Sequence, residues 1–196
     1  MPCQLPDTRP DGDGAPLHLE LFSSKPSAVE IATRTRVERN SAAVVNSIRN
    51  AAQRPIVVDI DCWGGLGDGA RDIAVALLQH PKAVRTRILG RCASATCLIA
   101  VAGDERIIAP TATVMIHGAR LVMTPQDYVR LYNMPKPEQD KVLNKLSEAD
   151  AKCCALLAAR TKQSVQVVQG WLRDGIEMNA EQAVRFGIAT RVDANG

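Results

Sequence analysis

The chain has 196 residues, 46% of them hydrophobic and 23% charged, with 24 basic against 21 acidic side chains and a formal net charge of +3. That length and apolar content support one domain with its own core and exclude disorder as the overall state. The charge is nearly balanced, and two Trp, two Tyr and two Phe are too few for base-stacking platforms, so no nucleic-acid partner is expected. No apolar run approaches the ~20 residues of a membrane-spanning helix, and the N-terminal MPCQLPDTRPDGDG lacks the apolar stretch of a signal peptide. The expected setting is therefore the cytoplasm, with no membrane partner. Cys3, Cys62, Cys92, Cys97, Cys153 and Cys154 show no zinc-ligand spacing and read as reduced packing thiols; neither a metal nor another cofactor is expected.

In chain order, residues 1–16 are rich in Pro, Asp and Gly and read as a mobile tail, with a single domain over 17–196. LHLELF (17–22) and AVEIATRTRV (28–37) alternate as strands do, and a helical stripe follows at Ala42, Val45, Ile48 and Ala51 or Ala52. Pro55 ends it. IVVDID (56–61) has the β-branched composition of a buried strand, and it runs through the glycine turn WGGLGDGA (63–70) into the helical DIAVALLQH (72–80). The pattern repeats in VRTRIL (84–89), a turn opened by Gly90, and the helix ASATCLIAVAG (93–103). Two successive strand–helix units predict a parallel sheet in an α/β domain. RIIA (106–109) and TVMIH (113–117) predict two short strands about Pro110. Beyond Pro125 the sequence turns mainly helical, with a long amphipathic helix over 137–160, a shorter one in QSVQVVQGWL, a third over 180–187, and a final strand in IATRV.

Three features carry chemistry. Ser94 lies where a strand hands over to a helix, so its hydroxyl sits near unpaired backbone N–H groups able to stabilise an oxyanion; a plain N-cap serine gives the same pattern. His117 ends an apolar strand and precedes Gly118, at a sheet rim where side chains meet substrate, whereas His18 and His80 occupy positions suited to solvated or structural imidazoles. Gly64 and Gly65 follow a buried strand, where glycine lets the backbone approach a ligand with its N–H groups turned outward. The run GGLGDGA lacks the Lys-Ser/Thr of a phosphate loop and does not fit GxGxxG.

The segments IVVDIDCWGGLGDGARDIAVALL, GRCASATCLIAVAGDERIIAPTATVMIHGA, ARTKQSV and MNAEQAVRFGI, in this order between about 55 and 192, resemble the proteolytic subunit of the Clp protease (ClpP) and its relatives of the ClpP/crotonase-like fold. The resemblance implies an α/β superhelix of repeated ββα units with a long handle helix over 137–160. It implies a serine endopeptidase acting on unfolded polypeptides through an acyl-enzyme, with Ser94 as nucleophile, His117 as general base, and the N–H groups of Gly65 and Ala95 as the oxyanion hole. It further implies homo-oligomeric rings enclosing a chamber, with an ATP-dependent Clp unfoldase as partner. The sequence departs from the family at two places. The family's S-P-G-G reads Cys62-Trp63-Gly64-Gly65, putting a bulky ring where substrate backbone passes, and Gly175 stands where the family has its triad aspartate. Asp174, one residue earlier, is the expected orienting acid, with Glu177 nearby and a surface aspartate as the bland alternative. A catalytically silent subunit of a mixed ring and a crotonase-like acyl-CoA enzyme are the competing readings.

Overall fold

The computed structural model describes residues 17–22, 35–121 and 123–193; the expected tail, 1–16, and residues 28–34 of the alternating stretch lie outside them. Five strands, β1 (Leu17–Phe22), β2 (Ile56–Cys62), β3 (Val84–Ala93), β4 (Glu105–Ile108) and β7 (Arg191–Val192), pair in the order β1-β2-β3-β4-β7, each parallel to its neighbour. β5 (Thr113–Ile116) also pairs with β3, and β6 (Ile176–Met178) lies antiparallel on β5. The helices are α1 (Thr35–Asn50), α2 (Gly67–Leu78), α3 (Thr96–Ala100), α4 (Pro125–Tyr132), α5 (Lys136–Thr161), α6 (Val165–Asp174) and α7 (Ala180–Arg185). The mixed α/β architecture agrees with the fold the resemblance implies. No helix among the described residues is long and apolar enough to cross a membrane.

β2 buries one face: the alternate residues Ile56, Val58, Ile60 and Cys62 are all buried, while the other face carries Val57, Asp59 and the exposed Asp61. On that second face Asp59 is tolerated in a buried position because Arg87, its register partner on β3, donates from both Nε and Nη2 to its carboxylate. That bond, ahead of any Coulombic contribution, raises the Arg87 pKa above its ordinary value. α1 begins at Thr35, so Thr35–Val37, expected to be extended, are helical. The buried stripe Val44, Val45, Ile48 and Ala51 anchors that helix, which propagates back through the good helix formers Arg36, Glu38 and Arg39.

β3 corrects the reading of Gly90 as a turn. The strand runs through it to Ala93, and the register with β2 steps from Ile60↔Ile88 to Cys62↔Cys92, leaving Asp61 alone opposite Leu89–Arg91. Gly90 fills this bulge: a Cβ there would lie 2.6 Å from Asp61 Oδ1, the same oxygen that accepts from the Arg91 N–H at 2.8 Å. The bulge divides β3 in two. Its first half, Arg85–Ile88, pairs with β4, and its second half, Arg91–Ala93, with β5. β4 and β5 therefore follow one another along the same edge of β3, interrupted at residues 109–112.

The long helix α5 is buried only at Cys154, Leu157 and Thr161, all toward its C-terminal end. Its N-terminal half, with Leu143 exposed, and α4, which has no buried residue and exposes Tyr128, Val129 and Tyr132, stand away from the core. Thr124 caps α4 through a reciprocal bond with Asp127, and Ser164 caps α6.

Candidate active site

Ser94 follows β3 directly and takes the left-handed backbone conformation, φ 58°. Ala93 is still in the ladder, opposite Met115, and the Ser94 N–H donates to the Met115 carbonyl at 2.7 Å. A residue at positive φ cannot continue into a helix, so α3 starts at Thr96, three residues later than the periodicity predicts at Ala93. This sharp strand-to-helix turn presents the Ser94 side chain at the end of the sheet. Gly64, φ 105°, lies against it: a Cβ on Gly64 would fall 2.7 Å from Ser94 Cβ and 2.8 Å from the Ala93 carbonyl oxygen. The first glycine of the pair thus makes the close approach, and the exposed Gly65 follows it. The backbone N–H groups of Gly65 and Ala95 carry no hydrogen bond among the described residues.

β5 runs parallel to the second half of β3, so its C-terminal end emerges beside that of β3 and brings His117 to the same rim as Ser94. His117 is half-buried. Its Nδ1 lies 2.7 Å from the Gly118 carbonyl oxygen. A carbonyl only accepts, so Nδ1 carries the proton and Nε2 is left with a free lone pair, the tautomer a general base requires. The Gly118 N–H donates to the Leu172 carbonyl at 2.7 Å. The next N–H, that of Ala119, donates to Asp150 Oδ1 of α5 at 2.6 Å. Gly118 is what permits this approach, since a Cβ there would sit 3.0 Å from Asp150 Oδ2 and 3.1 Å from the Leu172 carbonyl oxygen.

Asp174 ends α6 on the surface. Arg173 Nε and Nη2 hold its two carboxylate oxygens at 2.7 Å each, and that pairing lowers the Asp174 pKa from its ordinary value. No hydrogen bond joins it to His117 among the described residues. The antiparallel ladder ends with Ile116 opposite Ile176; one step beyond it on the β6 side is Gly175, φ 73°, which has no side chain to offer His117. Glu177 pairs with Arg91 across 3.2 Å. The Arg91 guanidinium also lies over the Trp63 ring, 4.2 Å from its centroid.

The thiols that flank Ser94 in the chain are not rival nucleophiles. Cys92 and Cys97 are buried with their sulfurs 3.8 Å apart, and the bond to Cys97 together with burial pushes the Cys92 thiol well above its ordinary pKa. The C-terminal end of α3 is clamped by Arg160 of α5, which donates to the Val101 and Gly103 carbonyls at 2.8 and 2.7 Å. Neither Arg160 nor Asp150 carries a sequence signal of its role, because both reach the site from a helix whose spacing reports only its own surface. The closeness of Gly64 to Ser94 was partly legible, as a glycine pair after a buried strand.

A family model, Clp protease, matches residues 28–195. The chain belongs to the Clp protease family. The match begins well before the segments, from about 55 onward, that carry the resemblance, so it takes in α1 as well. A search of the curated proteins finds no match to the chain. Membership of the Clp protease family makes the coarse assignment, a ClpP-like peptidase among the hydrolases.

Proposed function

We propose that this Clp protease family member is a serine endopeptidase, with Ser94 as nucleophile and His117 as general base. The observation that carries the reading is the pairing of β3 with β5: it delivers a serine at φ 58° and a histidine of the base tautomer to one rim of the sheet. His117 Nε2 takes the Ser94 proton as Oγ attacks the peptide carbonyl, and the N–H groups of Gly65 and Ala95 bind the oxyanion. His117 then gives the proton to the leaving amine, and water, deprotonated by the same ring, releases the acyl group from Ser94. We assign no part in this to Asp174, whose carboxylate is engaged by Arg173. The substrates are unfolded polypeptides, and the assembly is a ring of copies enclosing a chamber, with α4 and the outer half of α5 as contacts between copies. A cytoplasmic setting and delivery by an ATP-dependent unfoldase belong to the same proposal.

One observation favours a second reading, a silent subunit of a mixed ring: the residue just beyond the β5–β6 ladder, on the side of His117, is Gly175. Intact-mass measurement after exposure to a fluorophosphonate separates the two. The peptidase reading expects one adduct, abolished by Ser94→Ala and by His117→Ala; a folded, assembled protein that takes no adduct is the silent subunit.

A further inference from the structure

We propose that Asp150 is the positioning residue that replaces the missing triad acid, acting on His117 through the Gly118–Ala119 peptide group. The inference rests on Ser94 and His117 being the working pair. The two hydrogen bonds that flank His117 meet on one peptide unit. Its carbonyl oxygen, that of Gly118, accepts from His117 Nδ1 at 2.7 Å, and its N–H, that of Ala119, donates to Asp150 Oδ1 at 2.6 Å. A carboxylate on the N–H side of an amide draws electron density toward the carbonyl oxygen, because the two ends are conjugated and linked hydrogen bonds polarise one another. The Gly118 oxygen becomes a stronger acceptor, and the imidazolium formed when Nε2 takes the Ser94 proton is stabilised at Nδ1–H.

The neighbouring charges point to Asp150 rather than another acid. Arg173 holds Asp174, and Arg91 holds Glu177. Asp150 makes no ion pair among the described residues, and its carboxylate is bonded to the Ala119 N–H. That charge reaches its surroundings: after burial, Asp150 is the next cause raising the pKa of both Cys153 and Cys154. Glycine stands at both places where a side chain would interfere or compete. At 118 a Cβ would crowd the carboxylate, and at 175 there is none to bond His117 directly.

The test compares the full-length protein with Asp150→Asn and Asp150→Ala, resolving the rate constant for fluorophosphonate modification of Ser94 from the apparent affinity for the probe. Asparagine keeps an oxygen for the Ala119 N–H and removes only the charge. We expect Asp150→Asn to lower the rate constant about 10-fold, far short of the ~10⁴-fold of a directly bonded acid, with affinity and melting temperature unchanged. A wild-type rate in Asp150→Asn overturns the relay and leaves Asp150 as a structural clamp. Should Asp150→Asn fail to fold, Asp150→Ala is assayed with added formate or formamide. Restoration by formate alone supports the relay, whereas restoration by both or by neither overturns it. A wild-type protein that takes no adduct on Ser94 overturns the peptidase reading and the relay together, which distinguishes that failure from the failure of the relay alone.

Discussion

At Ser94 the backbone sits in a conformation that costs a non-glycine residue about 1 kcal/mol. The cost is borne because the Ser94 N–H is fixed to Met115 on one side and Gly64 closes the other. Gly64 is the residue with least latitude in the site. Its φ of 105° is itself unfavourable for any side chain, and a methyl group would collide with Ser94 Cβ and the Ala93 carbonyl together. Gly64→Ala is expected to slow fluorophosphonate modification of Ser94 by at least about 100-fold, the scale set by losing an aligned oxyanion donor. Labelling of Gly64→Ala at a rate near wild type would show that the turn yields without disturbing the serine. Gly118 plays the corresponding part beside His117, where it leaves room for Asp150.

At the level of elements, the nucleophile depends on a helix of only five residues, too short to hold itself by its own hydrogen bonds. Its stability comes from packing and from α5, whose Arg160 binds the Val101 and Gly103 carbonyls at its C-terminal end. A cation there also suits the negative end of the helix. Arg106 shares one of these carbonyls, donating to that of Gly103 at 3.3 Å. Burial, and then the charge of Arg160, lower its pKa. Arg160→Met keeps the apolar stem and removes the donors. It is expected to cost about 1–2 kcal/mol in urea unfolding, two charged hydrogen bonds less the relief of that repulsion. A loss below about 0.5 kcal/mol would mean that Arg106 takes over the clamp. The same helix thus supports the site twice, holding the end of α3 with Arg160 and the peptide beside His117 with Asp150.

At the scale of the whole molecule, the core lies under the parallel sheet while α4 and the outer half of α5 project from it, with Tyr128 61% and Tyr132 74% exposed. Aromatic surface of this kind on an otherwise polar pair of helices suits association between copies. The double substitution Tyr128→Ser/Tyr132→Ser is expected to leave unfolding of the subunit within about 0.5 kcal/mol of wild type and to lower the assembled mass in sedimentation. An unchanged mass would remove this face from the assembly. The strand–helix alternation, the serine at the end of β3, the histidine at the end of β5 and the paired glycines were all legible in the sequence, because each depends on residues a few positions apart. Other features depend on contacts between segments far apart in the chain: the split of β3 by the Gly90 bulge against β2, the reach of Arg160 to the end of α3, and the arrival of Asp150 at Ala119. Hydrophobic periodicity fixes which face of an element is buried, but it carries no information about register or about which distant polar group meets which backbone N–H. Those pairings, and with them the surroundings of His117, were decided only when the sheet and α5 were assembled.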